Sequence, residues 1–141
     1  MKNYIRVFWA VLTLGLAGFT WAEVVVIVHP SAGFDSLSEE DVSRLFLGKS
    51  KNFPSGALAV PVNQDEGKFV RETFNQVICN KNSSQYKAYW SRLVFTGKGT
   101  PPSDAGDDSA VKALISANPN MIGYIDASAV DATVKVVYKI H

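Results

Sequence analysis

The residues of this chain best suited to chemistry are hydrogen-bond donors for an anion: Ser31, Asn63, Gln64, Arg71, and Thr96, Lys98 and Thr100 of the run Thr96-Gly97-Lys98-Gly99-Thr100. An oxyanion can be held by backbone N–H groups, hydroxyls and an arginine, whose planar fork matches a carboxylate or phosphate. Arg71 falls one turn into an expected helix, from which it can turn back towards Asn63 and Gln64. It can equally pair with Asp65, Glu66 or Glu72 on a solvated face, the commoner fate of surface arginines. In the Thr96–Thr100 run the glycines expose N–H groups, while Lys98 and two hydroxyls suit an anion. The same run also serves as a helix end and loop with no ligand at all. It lacks the Walker spacing and does not follow a strand, so nucleotide binding is not expected. Ser31 follows the first expected strand, at the end where ligands gather in open α/β sheets.

Other chemistries find no comparable set. His29 and His141 stand far apart and Cys79 is the single cysteine, so no metal ligands have the needed spacing. There is no Gly-x-Ser-x-Gly elbow, and His29 has no evident nucleophile partner. Asp104, Asp107 and Asp108 lack a calcium-loop pattern, and Asp107 or Asp108 is better placed as a helix N-cap. Cys79, beside Val77 and Ile78, reads as a small buried hydrophobe. Tyr86, Tyr89 and Trp90 could form an aromatic platform, but their spacing fits a helix packing face. The chain therefore reads as a non-enzyme without a cofactor.

The elements that must position these residues begin after residue 22. Residues 1–22 read as an export signal: Lys2 and Arg6 precede the apolar run Val7 to Phe19, and Thr20-Trp21-Ala22 suits cleavage. That apolar run is shorter than the ~20 residues of a spanning helix, and no later run is long enough to cross a bilayer. Residues 23–141 fit one compact domain. The formal charge of +1 becomes −1 without Lys2 and Arg6, which argues against nucleic acid; Lys49 and Lys51 make only a local basic patch.

Val24 to Val28 is a β-branched run typical of a strand buried on both faces. A helix is expected over Ser38 to Leu47, with Val42, Leu45 and Phe46 on one face, Ser38 and Asp41 as a capping box, and Gly48 at its end. A strand over Ala57 to Val62 carries Pro61, which suggests an edge or a strand end. Helices follow over Gly67 to Ile78, with Val70, Phe74, Val77 and Ile78 inward, and over Ser84 to Phe95. Thr96 to Gly106 reads as an irregular loop. A fourth helix from Asp107 or Asp108 uses Val111, Leu114 and Ile115, and Ile122 to Asp126 and Thr133 to Tyr138 read as strands. This order implies a layered α/β domain with a mixed or largely parallel sheet flanked by helices.

Phe46-Leu47-Gly48-Lys49, closing a helix between two strands, and Asn118 to Tyr124, with its isoleucine-glycine-tyrosine strand, resemble the periplasmic phosphate-binding subunits of bacterial phosphate ABC transporters. The resemblance implies one lobe of a type II periplasmic binding protein, a periplasmic location, an inorganic oxyanion such as phosphate as ligand, and an ABC permease or other envelope protein as partner. In that family an arginine, an aspartate and a serine-glycine-threonine run after the second strand hold the phosphate. Here Asn63 stands where the arginine is expected, the serine-glycine-threonine run is absent, and Asp65 and Glu66 would repel an anion by ~1 kcal/mol per pair even in water. The expected function is an exported solute-binding-like protein with weak oxyanion binding. The alternative is an envelope interaction or sensory adaptor that keeps the fold without the ligand site.

Overall fold

The computed structural model describes residues 23–141, so the expected export signal lies outside the described residues. Its elements are β1 (Val24–Val28), α1 (Glu39–Phe46), β2 (Val60–Asn63), α2 (Phe69–Ile78), α3 (Ser83–Phe95), β3 (Ser103–Asp104), α4 (Asp108–Ala117), β4 (Met121–Asp126) and β5 (Lys135–Lys139). The strands form one mixed sheet in the order β3-β2-β4-β1-β5. β2 runs parallel to β3 and β4, whereas β1 runs antiparallel to β4 and β5.

β1 is buried along its whole length, as its β-branched run requires, and its side chains divide two cores. Val24, Val26 and Val28 face a larger core with Val42, Leu45 and Phe46 of α1, Phe74 and Ile78 of α2, and Tyr86 and Trp90 of α3. Val25 and Ile27 face a smaller core with Val62, Val111, Ile115 and Ile125. The domain is thus a sheet between α1, α2 and α3 on one side and α4 on the other.

Local rules set most boundaries. The Ser38 hydroxyl accepts from Asp41 N–H at 3.0 Å, Asp41 answers at the Ser38 N–H, and Gly48 follows the helix with φ +71°. Asn82 and Gln85 form a second capping box on α3, and Asp107 caps α4. Cys79 is buried, and that burial pushes its thiol pKa up to about 12.

Some expectations need correction. The strand expected over Ala57 to Val62 begins at Val60 and is internal, with Pro61 beyond the reach of the two-residue β3. The irregular stretch 96–106 contains that short strand. On α2, Val77 is 40% exposed and Arg71 and Asn75 are buried in its place, because the helix turns its polar i, i+4 pair inward. In β5 the alternation breaks: Val26 pairs with Tyr138 and Ile27 with Val136, so Val137 is an extra, bulged residue that drops into the larger core.

Candidate functional site

Asn63 ends β2, Gln64 follows it, and each is 1% exposed. Such burial demands partners, and neighbouring elements supply them. Asn63 Nδ2 donates to the Tyr86 hydroxyl at 2.7 Å, and its Oδ1 accepts from the Tyr124 hydroxyl at 2.9 Å. The Gln64 N–H donates to Tyr124 Oη at 3.1 Å, and Gln64 Nε2 donates to Asp108 Oδ1 at 2.6 Å and to the Tyr124 carbonyl at 3.1 Å. These bonds tie β2 to β4, α3 and α4.

Arg71 joins the same network. Its Nη1 donates to the Gln64 carbonyl at 2.9 Å and to Asp104 Oδ1 at 2.8 Å, and the guanidinium lies over the Tyr86 ring, 5.5 Å from its centroid. None of the acids foreseen as alternative partners, Asp65, Glu66 or Glu72, pairs with it. Asp65 bonds instead to Gly106, and Glu66 faces Lys87 at 3.6 Å. Arg71 therefore turns inward, towards Asn63 and Gln64. Both its hydrogen bonds use Nη1; among the described residues Nε and Nη2 have no hydrogen-bond partner, and Arg71 lines a groove.

That groove has a volume of about 650 Å³ and is lined by Asn63, Arg71, Tyr86 and Trp90 in its floor, with Val94, Phe95, Pro101 and Pro102 among its walls. Its fixed charges balance: Arg71 and Lys87 against Asp104 and Glu66. Burial raises the Tyr86 pKa, opposed by the Asn63 hydrogen bond and the Arg71 charge, so the phenol stays neutral. The Trp90 indole N–H is sealed from solvent and, among the described residues, has no acceptor in hydrogen-bond geometry. A larger groove of about 920 Å³, along α2 and the ends of the described chain, is lined by Phe69 and Val77 and by none of the buried polar side chains.

The other sequence-derived candidates lie elsewhere. Because β1 is antiparallel to β4, Val28 sits level with Ile122 while Asn63 lies beyond Pro61, which pairs with that same Ile122. Ser31 thus leaves the opposite end of the sheet, where its hydroxyl and His29 Nδ1 are 2.7 Å apart. The expected convergence of Ser31 with Asn63 does not occur, since the ligand-gathering rule presumes parallel strands. Thr96 caps α3 through its hydroxyl, which donates to the Arg92 carbonyl at 2.9 Å. Lys98 and Thr100 line a separate recess with Gly48 and Lys51, on the side of Trp90 that touches Gly48 and Gly99. The structure unites Asn63, Gln64 and Arg71 and separates Ser31, Thr96, Lys98 and Thr100 from them.

No family profile matches the chain, and no curated protein matches it. Solved structures do. A phosphate ABC transporter substrate-binding protein from Clostridium perfringens, solved with bound phosphate, superposes with a TM-score of 0.62 at 22% identity over 82% of this chain and 45% of that one. An ABC-type phosphate transport receptor from Vibrio cholerae gives 0.65 at 16% identity, covering 82% and 46%. PstS from Borrelia burgdorferi gives 0.61 at 14%, covering 82% and 47%. This chain has a PstS-like periplasmic binding fold. It spans a little under half the length of those proteins. In the PstS-like fold the Asn63–Gln64–Arg71 cluster sits at the carboxyl end of the parallel strand β2, the end at which open α/β sheets hold ligands.

Tyr124, Asp104 and the apolar groove walls were not singled out from the sequence as site residues. The isoleucine-glycine-tyrosine motif marks a strand, but not that its tyrosine would brace Asn63. Asp104 depends on β3, too short to show any period.

Proposed function

We propose that this protein is an exported solute-binding-like protein that binds a small oxyanion weakly at the Arg71 groove, with phosphate as the reference ligand and an ABC permease or another envelope protein as partner. The observation that carries the reading is Arg71 itself: a buried arginine at the carboxyl end of β2, with two nitrogens free, on a fold shared with phosphate-transport receptors. Asn63 and Gln64 act here as supports, because their side chains already serve Tyr86, Tyr124 and Asp108. Weak binding follows from openness. The groove opens to solvent beside Phe95, which leaves an anion partly hydrated, and Asp104 already draws on the Arg71 charge.

Calorimetry with phosphate, sulfate and molybdate tests the proposal. Millimolar binding that disappears in Arg71→Met, with the fold checked by circular dichroism, is the expected result. No heat from any anion at millimolar concentration would remove anion binding from the reading.

A further inference from the structure

The walls and the charge balance of the Arg71 groove point beyond inorganic anions. A phosphate dianion is best served by several cationic or backbone donors around it. Here the two cations of the groove are each already matched by an acid, Arg71 by Asp104 at 2.8 Å and Lys87 by Glu66 at 3.6 Å. The remaining Nε and Nη2 form one edge of a fork, the geometry that takes a single carboxylate side-on. Adding one negative charge to a balanced site costs less than adding two.

One side of the groove is apolar and open to water. Phe95 is 92% exposed and Val94 53%, side by side at the end of α3, facing the Pro101-Pro102 segment. Nothing in inorganic phosphate would cover them, whereas an apolar body attached to the anion would. Trp90, whose indole N–H lacks an acceptor, extends this aromatic surface into the floor beside Tyr86. A volume of about 650 Å³ lies within the range of organic-ligand pockets.

We infer that the Arg71 groove takes a small organic monocarboxylate with an apolar or aromatic body, its carboxylate on Nε and Nη2 of Arg71 and its body between Phe95, Val94 and the Pro101-Pro102 segment. The inference rests on the anion-binding reading and narrows its ligand class. Asp104 keeps the guanidinium oriented by holding Nη1, and the Tyr86 ring supports it from beneath.

The test is calorimetry of the purified protein with 3-phenylpropionate, acetate, 3-phenylpropionamide and inorganic phosphate. 3-Phenylpropionate is expected to bind at least about tenfold more tightly than acetate or phosphate, since burying a phenyl body contributes that much or more. The neutral amide should lose most of that affinity. Phe95→Ser, at a residue too exposed to hold the fold, should weaken 3-phenylpropionate about three- to tenfold and leave acetate unchanged. Phosphate binding as tight as 3-phenylpropionate, or amide binding as tight as the acid, overturns the organic-carboxylate assignment. In the first case the oxyanion reading survives; absence of binding by every anion ends both. Affinity unaffected by Phe95→Ser overturns the placement of the apolar body.

Discussion

Tyr124→Phe removes one oxygen from the centre of the buried network and nothing else. Tyr124 is fully buried, and its ring stacks on Phe74 with centroids 3.9 Å apart, a contact that phenylalanine retains. The lost hydroxyl serves two groups: it donates to Asn63 Oδ1 and accepts from the Gln64 N–H. Both lie on residues only 1% exposed, so water cannot readily replace it. A buried polar group left unpaired costs about 1–3 kcal/mol, and two together imply roughly 2–4 kcal/mol once some relaxation is allowed. For a domain of this size that is a fall in Tm of roughly 10 °C. Tyr86→Phe is the matched control. It removes the partner of a single buried group, Asn63 Nδ2, and should cost about 1–2 kcal/mol, roughly half as much. Urea unfolding of the two variants, analysed with a common m-value, measures the difference. A Tyr124→Phe loss below about 0.5 kcal/mol, or one no larger than that of Tyr86→Phe, would refute the idea that satisfaction of Asn63 and Gln64 holds the end of β2.

Gly123→Ala should destabilise by about 1–3 kcal/mol, because an added Cβ would lie 2.7 Å from Val111 Cγ1 and 3.2 Å from Val62 Cγ2; denaturant melts should show Val111→Ala partly restoring the double variant. Asp131 has its carboxyl lowered from 3.8 to about 2 by hydrogen bonds from Thr133 and Lys112. A depressed folded-state pKa contributes stability above the ordinary value that is lost as pH falls through the lower one. Thermal midpoints should therefore fall less steeply between 3.8 and about 2 in Asp131→Asn than in the parent, by a small amount at so exposed a site, and equal slopes would contradict the assignment.

Where one residue's own pattern decided its place, the sequence was legible. The β-branched run of β1, the Ser38 and Asp107 caps, and the helix end at Gly48 all arise from local chemistry. The buried place of Tyr86 and Trp90 follows from their spacing on α3. Strand direction was not readable: Ser31 follows β1 and Asn63 ends β2, yet the antiparallel pairing of β1 sends them to opposite ends. Nor was the partner of Arg71, since its acid lies 33 residues away on a strand of two residues. Helical periodicity ranks Arg71 as a surface residue because it scores polarity, whereas burial here depends on Asp104 and the Tyr86 ring. Asn63 and Gln64 are recognisable from the sequence as donors after the second strand, but not as donors already bound to Tyr86, Tyr124 and Asp108, which leaves little for a ligand.

The bulge at Val137 has a consequence for how this domain can meet other chains. β5 is one margin of the sheet, and there the extra residue breaks the even run of free N–H and carbonyl groups, with Lys135 and Lys139 at either end of the strand. The other margin, β3, is two residues long. Among the described residues both borders are therefore poor templates for a foreign strand, which disfavours fibrillar self-association. Contact with another macromolecule is therefore better served by side chains than by an added strand.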